Sequence, residues 1–358
     1  MKLGFGLYKH MLTDENFRFA RQCGATHLVI HLVDYFGHEK TNKGHADQPV
    51  GDSQGWGHAG IGTSIWSEDY LVGLRKKVNS HGLELEAIEN FDPAHWHDIL
   101  LDGPKKEEQM AQIKQLIRNV GAAGIPVFGY NFSLAGVSSR TQGAYARGGA
   151  VSVGMEGTPD ATPLPNGMVW NMVYDPDAPE GTVENVPHDM LWERVRYFLN
   201  ELLPVAEEAG VKLAAHPDDP PMPTVRSTPR LVFQPALYQK LIDLNPSPSN
   251  NLEFCLGSIA EMTDGDVYEA TEQYCKQNRI GYIHFRNVVG KVPSYKEVFI
   301  DEGDIDMIRV LKILKENNFD GVLIPDHTPQ MTCDAPWHAG MAYAMGYMKC
   351  ALQSLEEG

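Results

Sequence analysis

Four side chains of metal-binding type stand at the ends of four consecutive apolar runs in the second half of the chain. KLAAHPDDPP ends its run at His216, NLEFCLGS at Cys255, YIHFRNV at His284 and VLIPDHTP at Asp326, with His327 beside it. A lone His or Cys in a buried strand is ordinarily a packed core residue. Four of them at the same level of successive strands are different, because imidazole, thiolate and carboxylate facing one another need a cation to offset desolvation and repulsion. Two imidazoles, a thiolate and a carboxylate suit Zn²⁺, Fe²⁺, Co²⁺ or Ni²⁺, whereas Mn²⁺ prefers harder oxygen ligands.

Other residues fall around this set. Arg286 lies two positions past His284, on the same face of its strand, where it can reach a substrate carboxylate. Asp218 and Asp219 follow His216, placed either to orient ligands or contact substrate hydroxyls, or to form a turn before prolines. Glu89 and Asn131 end two earlier runs and are read as bordering the same pocket, with His10 a weaker member at the end of the first run. The acidic run DEGDIDM starts a helix, with Asp304 read as its N-cap. His38, His45 and His58 lack ligand spacing and are read as solvated loop residues.

The elements that must position these groups alternate from end to end. Strands are expected over Lys2–Tyr8, Thr26–Val33, Leu83–Glu89, Ile125–Phe132, Val211–His216, Asn251–Cys255, Ile280–Arg286 and Gly321–Asp326. Most are near-continuous apolar runs, as parallel strands buried on both faces should be. Amphipathic segments fill the gaps, and Gly24, Gly82, Gly124 and Gly210 stand where helices would stop. Eight such units predict an α/β fold, a single (β/α)8 TIM barrel spanning residues 1–358. A doubly wound open sheet is the competitor, and no GxGxxG follows the first strand. Two connections exceed the usual βα-loop length, about 34–64 and 133–188. Both follow strands, so both belong to the C-terminal face, as lids or subunit contacts.

Bulk properties fit an ordinary soluble enzyme. The 358 residues are 42% hydrophobic, and 30 Lys and Arg against 47 Asp and Glu give a net charge of −17. That balance opposes binding to nucleic acid or anionic membranes. No apolar run approaches the ~20 residues a membrane span needs, and the N-terminus reads directly as a strand. Five scattered cysteines argue for reduced thiols. A cytoplasmic homo-oligomer acting on a small anionic substrate is expected.

Taken together, HPDDPP at His216–Pro221, the FC-x-GS turn at Cys255, the IH-x-RN strand at His284, PDH at Asp326 and YNF at Tyr130–Phe132 resemble the mannonate dehydratase family of the hexuronate pathway. The resemblance implies a xylose-isomerase-like barrel and dehydration of D-mannonate to 2-keto-3-deoxy-D-gluconate. It implies Mn²⁺ held by His216, Cys255, His284 and Asp326, and a catalytic histidine at His327. The sequence departs from the family pattern after YNF, where Arg140 is read as standing in for the family's arginine. It departs again after PDH, where Tyr343 is the nearest candidate for a catalytic tyrosine.

The chemistry expected is β-elimination of water from a sugar acid. The metal would acidify the C2 proton, Arg286 would meet the carboxylate, and His327 would act as base at C2 or acid at the C3 hydroxyl. Two alternatives use the same barrel. One is a xylose-isomerase-like isomerase or epimerase, in which Glu89 gains importance and Cys255 has no obvious purpose. The other is a sugar-acid-binding homologue without turnover.

Overall fold

The computed structural model describes residues 1–36, 48–49, 56–60, 63–159 and 161–357. His38 and His45 lie outside the described residues. Eight parallel strands close into a barrel: β1 Lys2–Leu7, β2 His27–His31, β3 Glu84–Glu89, β4 Val127–Tyr130, β5 Lys212–Ala215, β6 Asn250–Cys255, β7 Ile280–His284 and β8 Val322–Ile324. Each pairs with its neighbours in sequence, and β1 closes on β8 through Lys2–Val322 and Leu3–Leu323. All eight strands read from the sequence are present. Most are one or two residues shorter at an end, because the chain turns into loops sooner than its apolar runs do, and β6 starts one residue earlier than read.

The major helices between and after the strands form the outer layer: α1 Asp14–Gln22, α2 Glu68–Ser80, α3 Lys106–Ala122, α4 His188–Ala209, α5 Pro235–Leu244, α6 Val267–Lys276, α7 Met307–Glu316 and α8 Pro336–Glu357. Their starts follow capping chemistry. Thr13, Ser67 and Asp266 each accept a hydrogen bond from a first-turn N–H. Gly210 ends α4 at φ 68°, a conformation that carries no Cβ penalty in glycine. One cap differs from the sequence reading. Asp306, not Asp304, caps α7 by accepting from Arg309 N, while Asp304 accepts from Gly290 N. Among the described residues no helix is long and apolar enough to cross a membrane.

Inside the barrel, Val29, Ala87, Val127, Ala214, Tyr282 and Val322 pack as an inner layer. Glu253 shares this interior with Tyr282. A Cβ on Gly129 would collide with both the Glu253 carboxylate and the Tyr282 hydroxyl, so glycine makes the room.

The two long connections meet each other over the C-terminal mouth. Gly57–His58 pairs with Met172–Val173, and Trp56 N donates to Asn171 O at 2.7 Å. Thr141–Ala146 and Ala150–Glu156 join a further hairpin, Asn287–Lys291 with Ser294–Val298, in a four-stranded sheet. This third excursion, after β7, was not expected from the sequence.

Candidate active site

His216 immediately follows β5, Cys255 ends β6 and His284 ends β7, directly in register with Cys255. One ligand atom from each lies within 4.8 Å of the others. Asp326 lies just past β8 with φ +61°, an uncommon left-handed setting for a residue with a Cβ. Its Oδ2 sits 3.4 Å from His284 Nδ1. Two ligands bonded at about 2.1 Å to one ion and roughly 100–110° apart are separated by this distance.

Hydrogen bonds select which nitrogen of each ring faces the centre. His216 Nδ1 lies 2.6 Å from the Pro217 carbonyl, which only accepts, so Nδ1 carries the proton and Nε2 is the ligand atom. His284 Nε2 is 3.3 Å from both Glu89 Oε2 and Glu253 Oε1. With Nε2–H held there, Nδ1 faces Asp326. Neither buried ring nitrogen makes a hydrogen bond among the described residues: Nε2 has only its charge contacts with the two carboxylates, and Nδ1, on the side of Asp326, is free for an ion.

The turn after β6 is built for the thiolate. Cys255 Sγ accepts from Ser258 N at 3.5 Å and Oγ at 3.2 Å, and Gly257 leaves space that a Cβ would take from the Arg286 guanidinium. Burial pushes the Cys255 thiol up. The Arg286 charge and the adjacent His216 and His284 rings overcome this and hold it well below the usual thiol range. Burial pushes His284 down, yet Asp326, Glu89 and Cys255 raise it well above the usual imidazole value. A thiolate and a trapped imidazolium proton, side by side and out of water, mark where a divalent cation would replace the proton. The donor set therefore fits a divalent metal.

Beneath the centre, Glu89 and Glu253 divide one charge. Burial and the Glu89 charge raise Glu253 well above the carboxylate range, so it stays neutral. Glu89 is opposed by its own burial, but His31 and His284 hold it down to about 2.

Around the rim, His327 Nε2 lies 3.0 Å from Asp326 Oδ2, and its Nδ1 lies 2.9 Å from Glu297 Oε2. Burial works against its charge, but these two carboxylates push it up to about 10. Arg286 is held among acids, Nη1 on Glu261 at 2.9 Å and Nη2 on Asp219 at 2.9 Å, with Nε 3.5 Å from Asp326. Arg140 Nη1 stands 3.5 Å from Glu297 and 3.9 Å from Asp219. The pocket encloses about 520 Å³ counted out to solvent, and Glu89, Asn131, Arg140, His216, Asp219, His284, Arg286, Asp326 and His327 all line it.

Three expected site residues do not line it. Asp218 is buried in a structural cluster: Oδ2 accepts from Leu231 N and Val232 N, each at 2.8 Å, and Oδ1 pairs with Arg230 Nε at 2.8 Å. It shapes the loop after β5 instead of touching substrate. Tyr343 lies 37% exposed on α8, where its hydroxyl accepts from Arg147 and its ring meets Phe299 edge-on. Helical spacing carries that face away from the mouth. His10 likewise sits in a short turn against Phe36, off the pocket lining.

Sequence reasoning missed Glu253, Glu297 and the aromatic lining residues. Glu253 had a signal, since it lies two residues before Cys255 on one strand and so points to the same interior.

A family model described as D-mannonate dehydratase (UxuA) matches residues 49–156 and 180–357. A mannonate dehydratase of Streptococcus pneumoniae (strain 70585) is 34% identical over 277 residues, covering 73% of this chain and 74% of that protein. The crystal structure of mannonate dehydratase from Streptococcus suis serotype 2 superposes with a TM-score of 0.75 at 26% identity, covering 99% of this chain and 95% of that one. A xylose isomerase domain protein from Planctomyces limnophilus, 13% identical with a TM-score of 0.58 over 100% of this chain and 99% of that one, shares the fold.

Proposed function

The chain belongs to the D-mannonate dehydratase family, and we propose that it removes water from D-mannonate to give 2-keto-3-deoxy-D-gluconate, in the cytoplasm. The observation that carries this reading is the buried convergence of His216, Cys255 and His284, with Asp326 at 3.4 Å from His284. An epimerase reading gives the Cys255 thiolate no work, whereas here it is a ligand.

His216 Nε2, Cys255 Sγ, His284 Nδ1 and an Asp326 oxygen would hold a divalent ion, assigned as Mn²⁺ on the family resemblance, with Fe²⁺, Co²⁺ and Zn²⁺ as competing occupants. When bound, such an ion supplies a Lewis acid at the carboxylate end of the substrate and favours loss of the C2 proton. Asp219 and Glu261 keep Arg286 charged and immobile beside that end, so its field is set before substrate arrives. Its Nε, without a hydrogen bond among the described residues, is the donor left over for a substrate carboxylate. Arg140 adds a second fixed positive charge at the same rim. His327, gripped by two carboxylates, keeps its proton near neutrality and is placed to deliver it to the departing C3 hydroxyl; the neutral imidazole this leaves takes up the proton given off by C2, so one water leaves in all and the residue is restored. Asn131 works indirectly: Nδ2 donates to Pro217 O at 3.1 Å and His216 O at 3.4 Å, which ties down the loop carrying the first ligand.

The test is direct. Purified protein loaded with Mn²⁺ is given D-mannonate, and the product is read by mass spectrometry. Loss of one water with a 2-keto-3-deoxy signature is expected. An isobaric sugar acid, or unchanged substrate across the hexonates, defeats the proposal.

A further inference from the structure

The pocket has two unlike halves. Strands β5 to β8 and the turns after them supply the ligands and most of the charged rim, which Arg140 joins from the second long connection. The opposite arc, β1 to β4 with the two long connections, supplies Tyr8, His31, Tyr35, Asn90, Trp56 and Trp170. Their rings pack on one another. Tyr8 stacks on His31 at 4.5 Å, Trp170 stacks on Tyr35 at 5.7 Å, and Trp56 meets both Tyr35 and Trp170 edge-on at 5.8 and 5.9 Å. Backbone bonds and Trp170 Nε1 donating to Asn131 O at 3.0 Å fix the wall in place.

This arc carries polar atoms that the fold leaves unanswered. Trp56 Nε1, Asn90 Oδ1, Asn131 Oδ1 and His31 Nδ1 are buried and have no hydrogen-bond partner among the described residues. Three of these roles are fixed by chemistry. The indole N–H only donates. Asn131 spends its amide N–H groups on two carbonyls, so its oxygen is an acceptor. The Asn90 amide oxygen likewise only accepts. His31 Nδ1 donates or accepts with the state of its ring. The wall thus offers two amide acceptors, an N–H donor and one adaptable imidazole nitrogen within an aromatic surface.

We infer that this aromatic arc is the binding site for the neutral polyhydroxyl tail of an open-chain sugar acid, and that it excludes substrates whose far end is a carboxylate or phosphate. The inference rests on the proposed function for which end of the substrate lies at the ion. A hydroxyl both donates and accepts, so a string of them can satisfy the acceptors and the indole N–H together, with its C–H faces on the rings. An anionic terminus only accepts. It would answer Trp56 Nε1 and leave the two amide oxygens facing it beside the Glu89 carboxylate. A site built to bond a substrate hydroxyl discriminates strongly against analogues lacking it.

Three acids test this: D-mannonate, D-lyxonate (the same C1–C4, without the terminal carbon) and D-mannarate (a carboxylate at C6). The wild-type protein should favour D-mannonate by about 100-fold or more in kcat/KM over either analogue. Trp56→Phe keeps the ring and removes the N–H. It should lower kcat/KM for D-mannonate by roughly tenfold or more and change D-lyxonate by less than about twofold. D-mannarate turned over as well as D-mannonate, or a Trp56→Phe loss equal for both aldonic acids, overturns the inference. If the wild type releases keto acid from none of them, the proposed function fails. Calorimetric Kd values for the same acids then decide the tail site by the same ratios.

Discussion

Replacing Cys255 with alanine separates a ligand from a core residue. The side chain is fully buried, so truncation leaves a void of one sulfur atom, worth about 1 kcal/mol. It also removes the acceptor for Ser258 N, a cap worth about another 1 kcal/mol. Ser258 Oγ retains Asp219 as a partner, so no hydroxyl is stranded. The fold should therefore survive, with the metal-free protein less stable by about 2 kcal/mol at most. The effect on the ion is larger. Four-ligand sites yield about 10–16 kcal/mol of binding free energy, so one ligand carries about 3–4 kcal/mol. At about 1.4 kcal/mol per decade, the dissociation constant should rise by two to three orders of magnitude. The assay is metal content after gel filtration, then chelator competition for Kd, with urea unfolding of the stripped protein as the control. A Cys255→Ala protein that keeps one equivalent of metal within about threefold of the wild-type affinity refutes the reasoning.

Three further outcomes follow from the same geometry. His327→Asn should retain the metal and the fold while kcat falls by about 10²–10⁴, and a rate within tenfold of wild type on D-mannonate removes His327 from the proton path. Tyr343→Phe should leave kcat and KM within about twofold, because its hydroxyl meets Arg147 and Asp301 at the surface, away from the pocket; a large loss of kcat would restore this tyrosine to the chemistry. Asp218→Ala strands the fully buried Arg230, whose Nε pairs with Asp218 at 2.8 Å, and should cost about 3–5 kcal/mol in urea unfolding. A cost under about 1 kcal/mol would show the pair is not structural.

The barrel was legible because most strands are apolar runs and four of the eight outer helices, α1, α2, α6 and α7, start at a capping side chain, and both signals are local. The ligand set was legible for a related reason: His216, Cys255, His284 and Asp326 each stand at a strand end, and closure brings strand ends together. Glu253 hid in plain view inside NLEFC, where an acid in an apolar strand signals an interior partner. Glu297 could not be found that way. It reaches His327 from a hairpin after β7 whose position depends on pairing with Ala150–Glu156, residues far away in sequence. Tyr343 misled because sequence proximity to the PDH motif says nothing about which face of α8 it occupies. Asp304 misled by two residues, since DEGDIDM offers several acids able to cap and only tertiary contacts choose among them. The aromatic arc sits on irregular connections with no periodicity to read.

The most direct test of the central claim is anomalous diffraction from crystals of the protein as purified, recorded at the absorption edges of manganese, iron and zinc. One peak is expected within about 2–2.5 Å of His216 Nε2, Cys255 Sγ, His284 Nδ1 and an Asp326 oxygen. A peak lying instead between Glu89 and Glu253, which with His284 form the other buried group among the described residues able to hold an ion, would contradict the account, as would metal-replete crystals with no peak in the barrel mouth.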